Sequence, residues 1–176
     1  MLWYVRLLTV GLLFAATTIP VSAAEEGTVR ATSAWVAEGR YFEVKDEQAL
    51  FVGAFAGVMY VETKQGAMDA AQIICPGMIE INLNDGTQSG EGRCIITARD
   101  GDKVYATWSC AGEHFAGCTG TFTLAGGTGR FKGITGHSAF EVRSQIGELA
   151  ARPGDESVQG AAAGVAVWPA LTYKIP

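Results

Sequence analysis

The chain is poor in the residues that most often carry chemistry. It has two histidines, His114 and His137, well separated and outside any His-Glu-x-x-His. No pair of cysteines has C-x2-C spacing, which leaves neither a paired-cysteine zinc site nor a redox C-x-x-C. Gly-x-Ser-x-Gly is missing, so an α/β-hydrolase nucleophile is unsupported. Basic residues are few and never run together: 13 Lys and Arg stand against 18 Asp and Glu, for a net charge of −5. Such a balance makes nucleic acid and anionic membrane surfaces poor partners. No segment sustains a helical period with caps. No metal and no cofactor are expected.

What is present begins with an export pattern. Met1–Arg6 carries one positive charge, and Leu7–Val21 is largely apolar. That stretch is shorter than the about 20 residues of a membrane span. Val21-Ser22-Ala23 then puts small residues where a signal peptidase reads. The expectation is a signal peptide over 1–23 and a single mature domain over 24–176. Cleavage removes Arg6 and no acidic residue, which takes the net charge to −6. The mature protein is expected in the periplasm or secreted, with no stable membrane insertion.

Four cysteines remain: Cys75, Cys94, Cys110 and Cys118. An even count in an exported chain reads as two disulfides. Cys110–Cys118 and Cys75–Cys94 are the expected pairs, because each joins neighbouring hydrophobic runs. Those runs are short and end in turn residues: Thr28–Ala37, Ala49–Thr63, Ala70–Leu83, Gly92–Arg99, Lys103–Cys110, Cys118–Leu124, Arg130–Ile134 extending into His137–Arg143, and Gly160–Tyr173. Asn84-Asp85-Gly86 and Asp100-Gly101-Asp102 punctuate them. Val, Ile, Thr and aromatics fill them, and 23 glycines suit turns and bulges. The pattern predicts an all-β antiparallel sandwich or barrel. Lys45–Leu50 is compatible with a short helical turn, and 154–160 with a polar loop. Leu50–Val61 is apolar on both faces, so it needs cover on both sides. A second copy of the chain is expected there, with the N-terminal segment or Gly160–Val167 as the intrachain alternative.

The most distinctive segment is Gly126-Gly127-Thr128-Gly129-Arg130-Phe131-Lys132-Gly133-Ile134-Thr135-Gly136. Its glycines suit a tight hairpin, Thr128 can hydrogen-bond the turn, and Phe131 can re-enter the core. A phosphate loop is the poorer reading, since no Gly-Lys-Ser/Thr and no helix follow. The segment resembles the GGTG-x-F turn of the allene oxide cyclase and dirigent barrel superfamily. It departs from the dirigent pattern after Phe131, where Lys-Gly-Ile-Thr-Gly replaces Ala-Arg-Gly, as a bacterial relative would. The resemblance implies a closed antiparallel barrel of about eight strands, often trimeric, with an apolar interior. It also implies a small apolar ligand in the lumen, or cofactor-independent isomerase or cyclase chemistry on an apolar substrate.

Catalytic candidates are the strand carboxylates Glu80 and Glu141, with Tyr105 as a hydrogen-bond donor and Asn82 as a ligand-binding residue. Each belongs either to the lumen, where desolvation would raise a carboxyl pKa, or to an outward polar face. His114, at the tip of the loop between Cys110 and Cys118, reads as solvated. Two functions compete. A ligand-binding barrel needs a lumen of roughly 300 Å³ or more with a few polar groups. A structural or interaction module has its lumen filled by aromatics and a large apolar outer patch. A lipocalin carrier is weaker, because an N-terminal Gly-x-Trp is absent.

Overall fold

The computed structural model describes residues 24–62, 68–114, 116–150 and 157–176, with backbone only at 68 and 146–150. The strands are β1 Glu25–Lys45, β2 Gln48–Glu62, β3 Met68–Asn82, β4 Thr87–Thr97, β5 Lys103–Glu113, β6 Gly117–Gly127, β7 Gly136–Ala150 and β8 Ser157–Ile175. Each pairs antiparallel with the next, and β8 returns to β1, which closes an eight-stranded barrel. Closure removes the free edges that an open sheet would leave. The architecture is the expected one, and so are the disulfides Cys75–Cys94 and Cys110–Cys118. The export pattern at 1–23 lies outside the described residues.

Local chemistry explains most of the turns. After β3, the Gly86 N–H bonds the Asn82 carbonyl at 2.9 Å, and the Asp85 carboxylate accepts the Thr87 N–H at 2.9 Å. These bonds, with the Thr87 hydroxyl as a further donor, hold the Asp85 carboxyl below its ordinary pKa. After β4, the Asp100 carboxylate accepts the Asp102 N–H at 3.1 Å. Three expectations need correcting. Lys45–Leu50 forms no helical turn: Asp46 and Glu47 close a β1–β2 hairpin, with Glu47 at φ 64°. The polar stretch 154–160 is a strand from Ser157 on, because β1 and β7 offer it partners. Arg130–Ile134 does not extend a strand; it holds a 3-10 turn, Gly129–Phe131, before β7 begins.

That connection explains the glycine motif. It is not a tight hairpin. The β5–β6 register shifts between Leu124 and Gly126, and the chain then wraps the turn between β4 and β5. The Thr128 hydroxyl accepts the Lys103 N–H at 2.9 Å. The Asp102 carboxylate accepts the Arg130 N–H at 2.9 Å, and Arg130 pairs with Asp100 at 2.8 Å. Ile134 then turns in, only 4% exposed, and belongs to the core with Leu124 and Leu171. One end of the barrel is thereby plugged with apolar side chains. In this setting the motif braces the turn between β4 and β5, at the end opposite the Cys110–Cys118 loop.

Alternation divides every strand into an inner and an outer set. On β2 the inner set is Phe51, Gly53, Phe55, Gly57 and Met59. The outer set includes Val52, Val58 and Tyr60, each about two-fifths exposed. Across the wall, Val36, Ala56, Ile74 and Ile95 stand in one register row over β1–β4. Gly160–Val167 cannot cover this face, because it forms part of β8 in the wall itself.

Candidate functional site

Strand alternation delivers an aromatic lining to the lumen. Trp35, Phe55 and Trp108 meet edge to face, with centroids 5.4 Å apart for Trp35–Phe55 and 5.8 Å for Phe55–Trp108. A second group comprises Phe122, Phe140 and Trp168, with Phe122–Trp168 at 5.2 Å. Glycines make room for the largest rings. A Cβ at Gly77 would sit 2.5 Å from the Trp108 ring, and one at Gly92 2.6 Å from its Nε1. The indole thus lies where two side chains would otherwise be, the small-beside-large fit that small barrels use.

Within this lining is a cavity of about 80 Å³. All four cysteines contribute to its wall, so both disulfides face inward. They cross-link β3 to β4 and β5 to β6 on either side of Trp108, with Cα–Cα distances of 4.1 and 5.7 Å. Polar atoms are few. Ser33, buried at 1% exposure, donates its hydroxyl to the Ala34 carbonyl at 3.2 Å. The Nε1 atoms of Trp108 and Trp168 are buried and have no hydrogen-bond partner. An unpaired buried donor costs about 1–3 kcal/mol, and native proteins leave few such groups without a reason.

At the end opposite the Ile134 plug, Gln88, His114 and Tyr41 stand together at the inner rim. Gln88 donates from Nε2 to the Gly117 carbonyl at 3.1 Å, and its Oε1 lies 3.2 Å from His114 Nδ1. The His114 ring stands edge to face with Tyr41 at 6.3 Å, and Tyr41 packs on Phe51 at 4.9 Å. His114 is therefore half-buried rather than solvated, as its loop position had suggested. Burial pushes its pKa down and that of the Tyr41 hydroxyl up. Both shifts favour the neutral form, so the rim presents imidazole and phenol without charge at neutral pH.

The sequence candidates lie elsewhere. Glu80, Glu141 and Tyr105 are exposed on the outer face. Alternation puts their neighbours Ile81, Phe140 and Ala106 inside instead. Glu141 pairs with Arg143 on its own strand. Asn82 sits at the end of β3, where its side-chain oxygen accepts the Asn84 N–H at 3.0 Å. Glu80 and Asn82 do share one groove, but it has no residue in common with the lumen cavity. His137 is exposed, its N–H bonded to the Thr172 hydroxyl at 3.2 Å. Among the described residues, no three His, Cys, Asp or Glu side chains gather as metal ligands would. Sequence reasoning missed Trp108, Trp168, Tyr41 and Gln88 as site residues. A usable signal existed for Trp108, which shares the apolar face of Val104 and Ala106.

No family model and no curated protein matches the chain. Among solved structures it is similar to the pterocarpan synthase dirigent protein GePTS1, at 9% sequence identity and a TM-score of 0.41, over 93% of this chain and 100% of that one.

Proposed function

We propose that this chain is an exported barrel of the allene oxide cyclase and dirigent type, and that it holds a small apolar ligand in its lumen. The apolar cavity inside the closed barrel carries this reading. At about 80 Å³ it is well short of the roughly 300 Å³ of a drug-sized pocket. The ligand, or the part of it that enters, is accordingly small. The aromatic filling and the apolar outer row meet both marks of a structural or interaction module; the residual cavity is what favours binding. Among the described residues the cavity wall has no ionisable side chain, its cysteines being bridged, which favours binding over proton transfer there. Isomerase or cyclase chemistry would have to draw on His114 or Tyr41 at the rim. Two disulfides and the N-terminal pattern support export.

Xenon tests the lumen directly, since dry apolar cavities take it up. Under xenon pressure, NMR should show saturable shifts at the methyls of Ile73, Ile79 and Val142, with the outer methyls of Val36 and Val52 unmoved. Shifts spread evenly over both faces would end the lumen reading.

A second reading concerns the outer face. The row Val36, Ala56, Ile74 and Ile95 is uncharged, and Val58 stands beside it on β2. Soluble monomers seldom leave such a patch bare, and we propose that a second copy of this chain covers it. Light scattering at micromolar concentration should give an oligomer mass that falls in Val58→Glu. A monomer mass for both proteins would reject self-association.

A further inference from the structure

We propose that the groove on the outer wall at the His114 end of the barrel is a second ligand site, and that it takes a small aliphatic amine in its ammonium form. The site is separate from the lumen, with which it shares no lining residue. Its volume is about 500 Å³, inside the roughly 300–1,000 Å³ of small-molecule pockets. Leu50, Glu80 and Ser89 stand side by side across β2, β3 and β4, and Gln48 faces Asn82 in the next outward row. Two turns close the end of the groove. The Leu83 N–H donates to the Glu47 carbonyl at 2.8 Å, and the Asn84 amide donates to the Glu47 carboxylate. The β1–β2 hairpin is thereby fixed to the turn between β3 and β4.

The chemistry of the lining restricts the ligand. Glu80 is the one ionisable side chain among the described groove residues. Glu26, Glu62 and Glu141 on other strands each have a basic partner. The Glu80 carboxylate has none among the described residues. The segments that bound the groove, 43–47 and 84–86, add Glu43, Asp46, Glu47 and Asp85 against Lys45 alone. That field draws a cation in and repels a carboxylate. An ammonium has three donors. One meets Glu80, and the Gln48 carbonyl and Ser89 hydroxyl are acceptors for the others. Val44, 57% exposed, and the half-buried Leu50 give an alkyl chain its apolar surface. A metal ion would need several oxygen ligands converging, and no three acidic, His or Cys side chains do so among the described residues. A neutral alcohol would use the apolar strip and leave the carboxylate without a counter-charge.

Butylamine, butanol and butyrate test this as a matched set, since they share a short alkyl chain and differ in charge. Each is titrated into the folded protein with both disulfides intact. NMR follows the Val44 and Leu50 methyls and the backbone N–H signals of Gln48, Glu80 and Ser89. Butylamine is protonated at neutral pH and should shift these signals along a saturable curve, with the lumen methyls of Ile73 and Val142 unmoved. Butanol should bind at least about threefold more weakly, the scale of a partly exposed ion pair, and butyrate should leave the signals in place. Glu80→Gln should weaken butylamine at least about threefold and leave butanol within about twofold of its parent value. Should that variant melt differently from the parent, salt decides: raising it to physiological strength should weaken butylamine and spare butanol. Equal binding of butylamine and butanol, or an undiminished Glu80→Gln, overturns the proposal. So do butylamine shifts spread equally over Glu25, Glu26 and Glu141, which mark a diffuse counter-ion only. Shifts confined to the lumen methyls reject this groove while the lumen reading stands.

Discussion

Phe122→Ala should lower the unfolding free energy by about 3–5 kcal/mol, the range for a buried aromatic truncated to alanine. Phe122 is 1% exposed and lines the cavity. Its ring lies 6.2 Å from Phe140 and 5.2 Å from Trp168, so the substitution removes two aromatic pairs as well as buried area. The wall around it cannot easily relax inward. Two disulfides and a closed hydrogen-bond ladder hold β3 to β6 in place. The cavity should therefore enlarge rather than collapse, at the high end of the cost. Urea titration should show a lower midpoint at an unchanged slope. Benzene in the buffer should restore part of the loss, because a ligand bound only by the folded state stabilises it. A loss under about 1 kcal/mol would mean that the aromatic lining is not a packed core.

The second large effect is expected in the glycine motif. Gly127→Val and Gly129→Val should each cost about 2–3 kcal/mol, for different reasons. Gly129 has φ 48°, which a β-branched residue tolerates poorly, and its Cβ would fall 1.9 Å from an Asp102 carboxylate oxygen. The carboxylate would then lose its place beside the Arg130 N–H. Gly127 has no such backbone demand. Its Cβ would lie 2.5 Å from the Lys103 carbonyl oxygen and 2.8 Å from the Phe131 Cβ. Gly86→Ala provides the control: φ is 74° there, but nothing lies within 4 Å of the added carbon. It should cost only the left-handed penalty of about 1–2 kcal/mol. If all three variants melt together, crowding around the motif contributes nothing. If Gly127→Val and Gly129→Val melt like the parent and lose ligand instead, the motif is functional rather than structural.

Much of the fold was legible in the sequence because its signals are local. Strand alternation, Asx turns and cysteine spacing each act within about ten to twenty residues, and all three carried through. Boundaries at the polar ends were less legible. Glu38–Lys45 and Ser157–Gln159 have weak strand character, yet β8 draws β1 into the ladder as far as Phe42, and β2 carries it on to Lys45. Which face turns inward was readable for β5, where Trp108 marks it. The strands bearing Glu80 and Glu141 pit carboxylates against aliphatics, and burial resolved that contest in the ordinary direction. The site itself was hidden for a geometric reason. Trp108 and Trp168 are 60 residues apart in the chain and meet only through Phe122 once three strand pairings have formed. An unpaired N–H, moreover, is a property of the assembled wall that no spacing announces.

The inward placement of both disulfides has a consequence for how the molecule matures. In the finished barrel Cys75, Cys94 and Cys118 are buried and Cys110 is partly so, and exchange with an outside thiol or oxidant requires reach. Each bridge spans a single hairpin, 19 and 8 residues in sequence, whereas closure joins Glu25 to Ile175 across the whole chain. Hairpins form far sooner than contacts of such separation. The order of events is then set by accessibility: sulfur chemistry belongs to the open sheet, and the β1–β8 seam seals it. A barrel that closed before oxidation would imprison four thiols in a space built for two bridges, so the placement of the sulfurs favours oxidation before the last strand pairing.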